Sequence, residues 1–337
     1  MKKILIILLL IFNLIFNLIL YFLPNNYECF DSIPKVSFPF KNLFDDKGEL
    51  LNIILISAPF REEKHEQLYL DYKDAGYNFC GISSYLNFPN KIDNPYEDKF
   101  HEKRKHDYTS MVSSWLYCFR EPSENIKKLP SILLTEADLK DINTYKPSDI
   151  PKEYDYIYCC LEDNDKCIPG WQSYNRNWEL GKKCLEVFCD HNLNGLIVGR
   201  TNCEFTKKCG IKVLPFLKFH EFQIEMQKSK FLFVPNISDA SPRIITEALC
   251  YNIPVLVNYN IIGGWHNVVP GVTGEFFTDE IDIIEPLNKI INNKYEAREW
   301  FVNNRGKEKS GKILADFLIE NYPNINNKDM KYATITI

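Results

Sequence analysis

Apolar residues in this chain gather into two kinds of run. The first kind is short and continuous: Leu50-Leu-Asn-Ile-Ile-Leu-Ile-Ser57, Phe79-Cys-Gly-Ile82, Tyr154-Asp-Tyr-Ile-Tyr-Cys159, Gly195-Leu-Ile-Val198, Ile211-Lys-Val-Leu214, Phe231-Leu-Phe-Val234 and Ile253-Pro-Val-Leu-Val257. Unbroken β-branched and aromatic runs predict strands buried on both faces of a parallel sheet. The second kind spreads its apolar positions along helical stretches, over Trp178–His191, Phe216–Lys228 and Pro242–Tyr251, with closing helices near 281–292 and 295–321. From Pro151 onward the two kinds alternate with short links, which predicts a doubly wound α/β sheet. The stretch 50–150 is less regular. Tyr108–Phe119 reads as helix or strand around Trp115, Ile132-Leu-Leu134 is a short apolar run, and 87–106 is a polar, Pro-containing loop.

The N-terminus has its own pattern. Lys2-Lys3 precede an apolar run from Ile4 to Leu23, interrupted only by Asn13 and Asn17 and ended by Pro24. A run of about 20 residues matches a bilayer span and exceeds the apolar core of a secretory signal. Bulky Tyr21-Phe-Leu-Pro24 offers no small-residue cleavage site. The expectation is a single-pass signal anchor over 1–24, with a cleaved or merely hydrophobic leader as the alternative, and a stem over 25–49. The two lysines favour a cytoplasmic N-terminus and a lumenal or external remainder.

The stretch 231–277 carries the chemistry. Its strand breaks into Asn236-Ile-Ser-Asp-Ala-Ser-Pro-Arg243 and restarts as a helix, with Ser241 expected at the N-cap and Pro242 at the first helical position. A helix opening off a strand offers unpaired N–H groups and a positive dipole end to an anion. Asp239 and Glu247 frame that end, and Arg243 sits where a cation opposes the dipole, which suggests an anionic partner. In doubly wound sheets ligands bind beyond the carboxyl ends of the strands. Asp239, Ser241 and the Gly263-Gly264 turn all follow strands and so share that rim.

These residues resemble the family-4-type glycosyltransferases of the GT-B fold over roughly 151–320. The family carries two acids with seven residues between them, then Ala and a small-residue-Pro-Val strand; Asp239, Glu247 and Ala248-Leu-Cys-Tyr-Asn-Ile-Pro-Val255 match. Its Gly-Gly turn and later Thr-Gly are matched by Gly263-Gly264 and Thr273-Gly274. The first acid is Asp instead of the family's Glu, and Ala240-Ser-Pro242 stands in place of a Gly-Phe-Gly loop. The resemblance implies two Rossmann-like domains behind the transmembrane helix: an acceptor-side domain over 50–150, short and therefore reduced, and a nucleotide-sugar domain over 151–322 whose last helix crosses back to the first. The remainder, 323–337, reads as a dispensable tail.

The same resemblance implies roles. Glu247 would hold the donor ribose, Asp239 the transferred sugar, and Ser241, Arg243 and the Gly263-Gly264 backbone the donor. Arg176, with Lys182 second, would neutralise the leaving diphosphate, where negative charge develops. The implied reaction is a retaining, metal-independent transfer without a resident cofactor, from a nucleotide sugar to a glycan, lipid or protein hydroxyl. His266 reads more readily as a structural polar residue than as a catalyst. On the acceptor side no motif selects among His101, His106, Glu136 and Asp138.

Composition narrows the alternatives. At 337 residues with 45% hydrophobic and 25% charged, the chain can bury two cores, and a net charge of −5 gives no general attraction to nucleic acid. Lys103-Arg-Lys105 reads as a solvated face. Eleven cysteines, an odd number, leave at least one unpaired; most read as buried thiols. Asn236-Ile-Ser238 is the single glycosylation sequon and is expected to stay unmodified because it would line the crevice. Three other readings remain: a metal-dependent GT-A-type transferase using Asp163 and Asp165, a non-catalytic GT-B-like carbohydrate-binding or scaffold protein, and a nucleotide-sugar epimerase.

Overall fold

The computed structural model describes residues 36–90, 96, 106–126, 128–203 and 209–335. The expected anchor over 1–24, His101 and the Lys103-Arg-Lys105 cluster lie outside the described residues. Among the described residues no helix is long and apolar enough to cross a membrane.

Among the described residues two six-stranded sheets form the architecture. In the first, β2 (Leu50–Ile56), β3 (Asn78–Ile82), β4 (Ser114–Tyr117) and β5 (Ser131–Leu133) run parallel. Beside β2 lies β1 (Phe40–Asp45), antiparallel to it, and then β12 (Ala333–Ile335), antiparallel to β1. Ile53, Ile54, Leu55 and Ile56 are all fully buried, as an unbroken apolar run requires. Among the described residues the helices are α1 (Glu63–Asp74), α2 (Ser123–Ile126), α3 (Trp171–Asn175), α4 (Trp178–Asp190), α5 (Phe219–Gln227), α6 (Arg243–Cys250), α7 (Ile284–Asn292), α8 (Ala297–Asn304) and α9 (Lys307–Asn321).

Three expectations about the first domain are corrected. The segment read as stem enters the sheet at Phe40. β1 then passes to β2 through a tight turn in which Asp45 Oδ1 accepts the N–H groups of Lys47 (2.9 Å) and Glu49 (2.8 Å), and Gly48 takes φ +84°. The segment read as tail ends in β12. The first sheet is therefore not reduced, because residues on either side of 50–150 supply two of its strands. As expected, the last helix crosses back: Leu314, Ala315, Phe317 and Leu318 of α9 share a core with Leu43, Ile53 and Leu55.

The second sheet is wholly parallel, in the order β8-β7-β6-β9-β10-β11: Ile211–Leu214, Gly195–Val198, Tyr154–Cys159, Ser229–Val234, Val255–Asn258 and Gly274–Phe277. Winding reverses between β6 and β9, so the chain leaves these adjacent strand ends toward opposite faces and opens a crevice there. The stretch 295–321 is two helices, not one, because Gly306 adopts φ +93° between α8 and α9. The break is held to the segment after β5, Gly306 N–H donating to Asp138 O (3.0 Å) and Lys307 N–H to Lys140 O (2.9 Å).

The carboxyl ends of both sheets meet across this crevice. Ala240, in the loop after β9, belongs to the first sheet's core with Phe40, Ile54 and Phe119. Arg120, just past β4, donates to Tyr259 O (2.9 Å) and stacks on the rings of Tyr259 and Trp265, at 4.3 and 4.5 Å. Trp265 Nε1 donates in turn to Cys118 O (2.8 Å).

Candidate active site

At the switch point between β6 and β9 lies a cavity of about 290 Å³. Cys159, Arg176, Asn236, Asp239, Ser241 and Arg243 line it from the second sheet's side, and Ser84 from the first. Larger depressions lie around Ile284–Asn293 and Lys309–Asp316, but they are open and away from the strand ends.

Arg176 and Asp239 come from different loops and meet here. Arg176 ends α3, and its Nη1 lies 2.6 Å from Asp239 Oδ2. Burial works against the guanidinium's charge, but the neighbouring carboxylate outweighs it and raises the Arg176 pKa. Asp239 is further held by Asn236 Nδ2 and by the Ser241 N–H, each at 3.3 Å. Asn236 is 3% exposed, so this sequon's amide is turned into the loop.

The helix after this loop opens differently from expectation. It starts at Arg243 with Pro242 at the N-cap, and no side chain caps it. Ser241 is not the cap; its Oγ accepts the Ala137 N–H (3.2 Å), tying the loop to a 3-10 turn at Glu136–Leu139. Proline fixes its own φ and cannot offer a capping oxygen, so the N–H groups of Arg243 and Ile244, two residues that line the cavity, have no side-chain cap. Arg243 is exposed; its carbonyl accepts the Thr246 hydroxyl (3.1 Å), and among the described residues its guanidinium makes no hydrogen bond or ion pair. Two arginines, an uncapped helix end and one carboxylate thus share the cavity, an electrostatic arrangement suited to a polyanion.

The other expected residues do not line the cavity. Glu247, one turn further along α6, is bound to Lys140: Nζ to Oε1 is 2.6 Å, and the lysine is 5% exposed. Lys140 Nζ also reaches Tyr145 Oη (3.3 Å), whose pKa burial and then Glu247 push upward. Gly263 and Gly264 support the loop from beneath. Gly263 N–H donates to Asp239 O (2.9 Å), a Cβ there would run into the Ala240 carbonyl, and Gly264 takes φ +75° against Pro242. Lys182 pairs with Glu179 (2.9 Å) on α4, outside the lining.

The acceptor-side candidates have structural partners. Glu136 pairs with Lys41 (2.9 Å), and His106 with Glu66 (2.9 Å). Asp138 is buried against His266 Nε2 and Asn267 Nδ2, each at 2.8 Å, and the Thr135 N–H at 2.7 Å. Burial alone would raise its pKa; the His266 partner and these hydrogen bonds overcome that and hold it at about 2.

The GT-A alternative finds no support in this geometry. Asp163 accepts the N–H groups of Gln172 (2.6 Å) and Ser173 (3.0 Å), so it caps α3, while Asp165 is exposed. Among the described residues two disulfides, Cys167–Cys203 and Cys189–Cys209, bind the segments around β7 and β8. Among the described residues six cysteines are free, all buried except Cys159, which lines the cavity. Lys140, Ser84 and Cys159 escaped sequence reasoning. Lys140 stands 107 residues from its partner, and no local pattern marks it.

Sequence comparison gives no matching protein family and no matching curated protein. Solved structures do match. TarM superposes with a TM-score of 0.56 at 12% identity, covering 79% of this chain and 54% of TarM, so the chain spans about half of that protein. A glycosyltransferase from Rickettsia africae gives 0.55 at 14% identity, covering 81% and 77%. Anabaena HepE in complex with UDP and glucose gives 0.54 at 14%, covering 79% and 78%. At such identities the likeness concerns the fold: the chain has the GT-B fold of these glycosyltransferases.

Proposed function

We propose that this protein is a glycosyltransferase that moves a sugar from a nucleotide-sugar donor to a hydroxyl acceptor, with retention and without a metal. The observation that carries this reading is the cavity at the switch point, where Arg176, Arg243 and the uncapped end of α6 surround Asp239. The donor diphosphate would lie on the helix end, drawing Arg176 from Asp239 onto the phosphate and leaving Asp239 for the sugar hydroxyls. Glu247, anchored by Lys140, would hold the ribose. In the transfer the bond from the anomeric carbon to the β-phosphate oxygen breaks, the acceptor oxygen bonds to the same face, and its proton passes to the leaving phosphate. Orientation and fixed positive charge supply the catalysis, without a strong protein base. HepE was solved with UDP and glucose, which makes uridine diphosphate sugars the first donors to try. A glycan, lipid or protein acceptor fits equally.

The N-terminal run would anchor the chain in a membrane, with the catalytic part lumenal or external. The two disulfides support that side, since such bonds persist in oxidising compartments.

A non-catalytic carbohydrate-binding role is the second reading, favoured by the neutralisation of both acids, Asp239 by Arg176 and Glu247 by Lys140. One experiment separates the two. The purified chain is incubated with a panel of nucleotide sugars, with and without EDTA, and nucleoside diphosphate release is followed. Release from one donor, unaffected by EDTA and lost in Arg176→Met, establishes the transferase. No release and no donor binding leaves the scaffold reading.

A further inference from the structure

Arg200, just past β7, is fully buried, yet none of its atoms reaches the cavity. Its guanidinium lies over the Trp178 ring at 4.4 Å. Nη2 donates to Ser173 Oγ (2.7 Å) and lies 3.4 Å from Asp163 Oδ2, Nε lies 3.1 Å from Cys160 Sγ, and Nη1 lies 3.4 Å from Cys203 Sγ in the Cys167–Cys203 disulfide. Burying a guanidinium carries a large desolvation cost, so a group held this way needs its partners and they need it.

Two of those partners, Asp163 and Ser173, act on α3. Asp163 receives the Gln172 and Ser173 N–H groups and, at 2.5 Å, the Ser173 hydroxyl. The helix has five residues, too few to persist on its own backbone bonds. Its C-cap is Arg176, whose carbonyl accepts Tyr158 Oη at 3.0 Å. The following Asn177, at φ +50°, donates from Nδ2 to Pro235 O (3.0 Å), at the start of the loop that carries Asp239. A rigid path therefore runs from Arg200 through Asp163 and Ser173 along one short helix to the guanidinium in the cavity.

We propose that Arg200 is a positioning residue for diphosphate binding: it fixes α3 and thereby sets Arg176 against the donor phosphates. This rests on the donor-site reading above. Arg200 acts only through Arg176, so the two should be coupled, and coupling is what a merely structural role lacks.

The test titrates UDP, GDP, ADP, CDP and dTDP into the full-length chain, then the tightest of these into variants. Arg200→Met is expected to weaken binding about tenfold or more, with Arg200→Lys recovering part of the loss because it keeps the charge without the planar fork. Arg200→Met/Arg176→Met should bind no more weakly than Arg176→Met alone. Additive losses in the double variant, or wild-type affinity in Arg200→Met, overturn the proposal while leaving the donor site standing. If Arg200→Met does not fold, Ser173→Ala reads the same path. A few-fold loss that vanishes in the Arg176→Met background supports it, and an additive or absent effect overturns it. A wild-type chain that binds none of the five diphosphates removes the donor-site reading itself.

Discussion

Arg176 Nη1 and Asp239 Oδ2 stand 2.6 Å apart, joining the loop after β6 to the loop after β9 across the switch point. The pair neutralises two groups that the proposed reaction needs separately, so a donor diphosphate must compete with Asp239 for the arginine. Removing the competitor and removing the cation therefore have opposite effects on binding. Asp239→Asn is expected to bind nucleoside diphosphate as tightly as wild type or a few-fold more tightly, while transfer falls about a hundredfold or more. Arg176→Met is expected to lose both. Calorimetric titration alongside turnover measures the two, and weakened binding in Asp239→Asn would remove the competition argument.

Lys140 and Glu247 form a more enclosed pair, and breaking such a pair on one side strands a buried charge. Lys140→Met should lower stability by about 3–5 kcal/mol. Lys140→Met/Glu247→Gln should recover much of that loss, because no charge is left uncompensated. Urea unfolding of the single and double variants checks this; equal destabilisation in both would show that packing, not charge, sets the cost.

Gly263 supports the Asp239 loop from below, and there is no room for a Cβ against the Ala240 carbonyl. Gly263→Ala is expected to displace the loop, lowering stability by about 1–3 kcal/mol and reducing donor binding. Gly271→Ala is the comparison: φ there is +74°, which Gly263 does not share, and the space is open. It should show backbone strain alone, with donor binding unchanged.

Asp138 gives stability an acid limb. Its folded pKa, about 2, lies below the ordinary 3.8, so the folded state binds fewer protons between these values. The associated stabilisation, roughly 2 kcal/mol, is complete above pH 4 and lost as pH falls toward 2. Asp138→Asn should remove that component of the pH dependence. Unfolding free energies of both proteins across this range test it, and parallel curves would assign the acid limb to other carboxylates.

The strands of the second sheet were legible because a parallel strand buried on both faces is apolar throughout. Phe231–Val234 and Tyr154–Cys159 announce themselves without any partner in view. Helix α1 was not legible: Glu63–Asp74 is mostly polar and buries only His65 and Tyr72, so its periodicity is weak. The loop holding Asp239, Ser241 and Arg243 was also readable, because a strand, a polar break and a helix lie consecutively along the chain. The capping at its end was misread. A serine before Pro-Arg has the local signature of an N-cap, but the Ala137 N–H, distant in sequence, takes its hydroxyl.

What the sequence determined by itself is therefore the local alternation of strands and helices, the switch-point loop and the presence of acids and cations near it, all set by burial and dipole effects acting over a few residues. The tertiary structure decided which of those groups meet. It placed Arg176 on Asp239, gave Glu247 to Lys140, turned Ser241 to another segment and completed the first sheet with β1 and β12. The reason is physical. A charge pair or a strand pairing depends on distance in space, and the fold brings residues such as Lys140 and Glu247, 107 positions apart, to 2.6 Å.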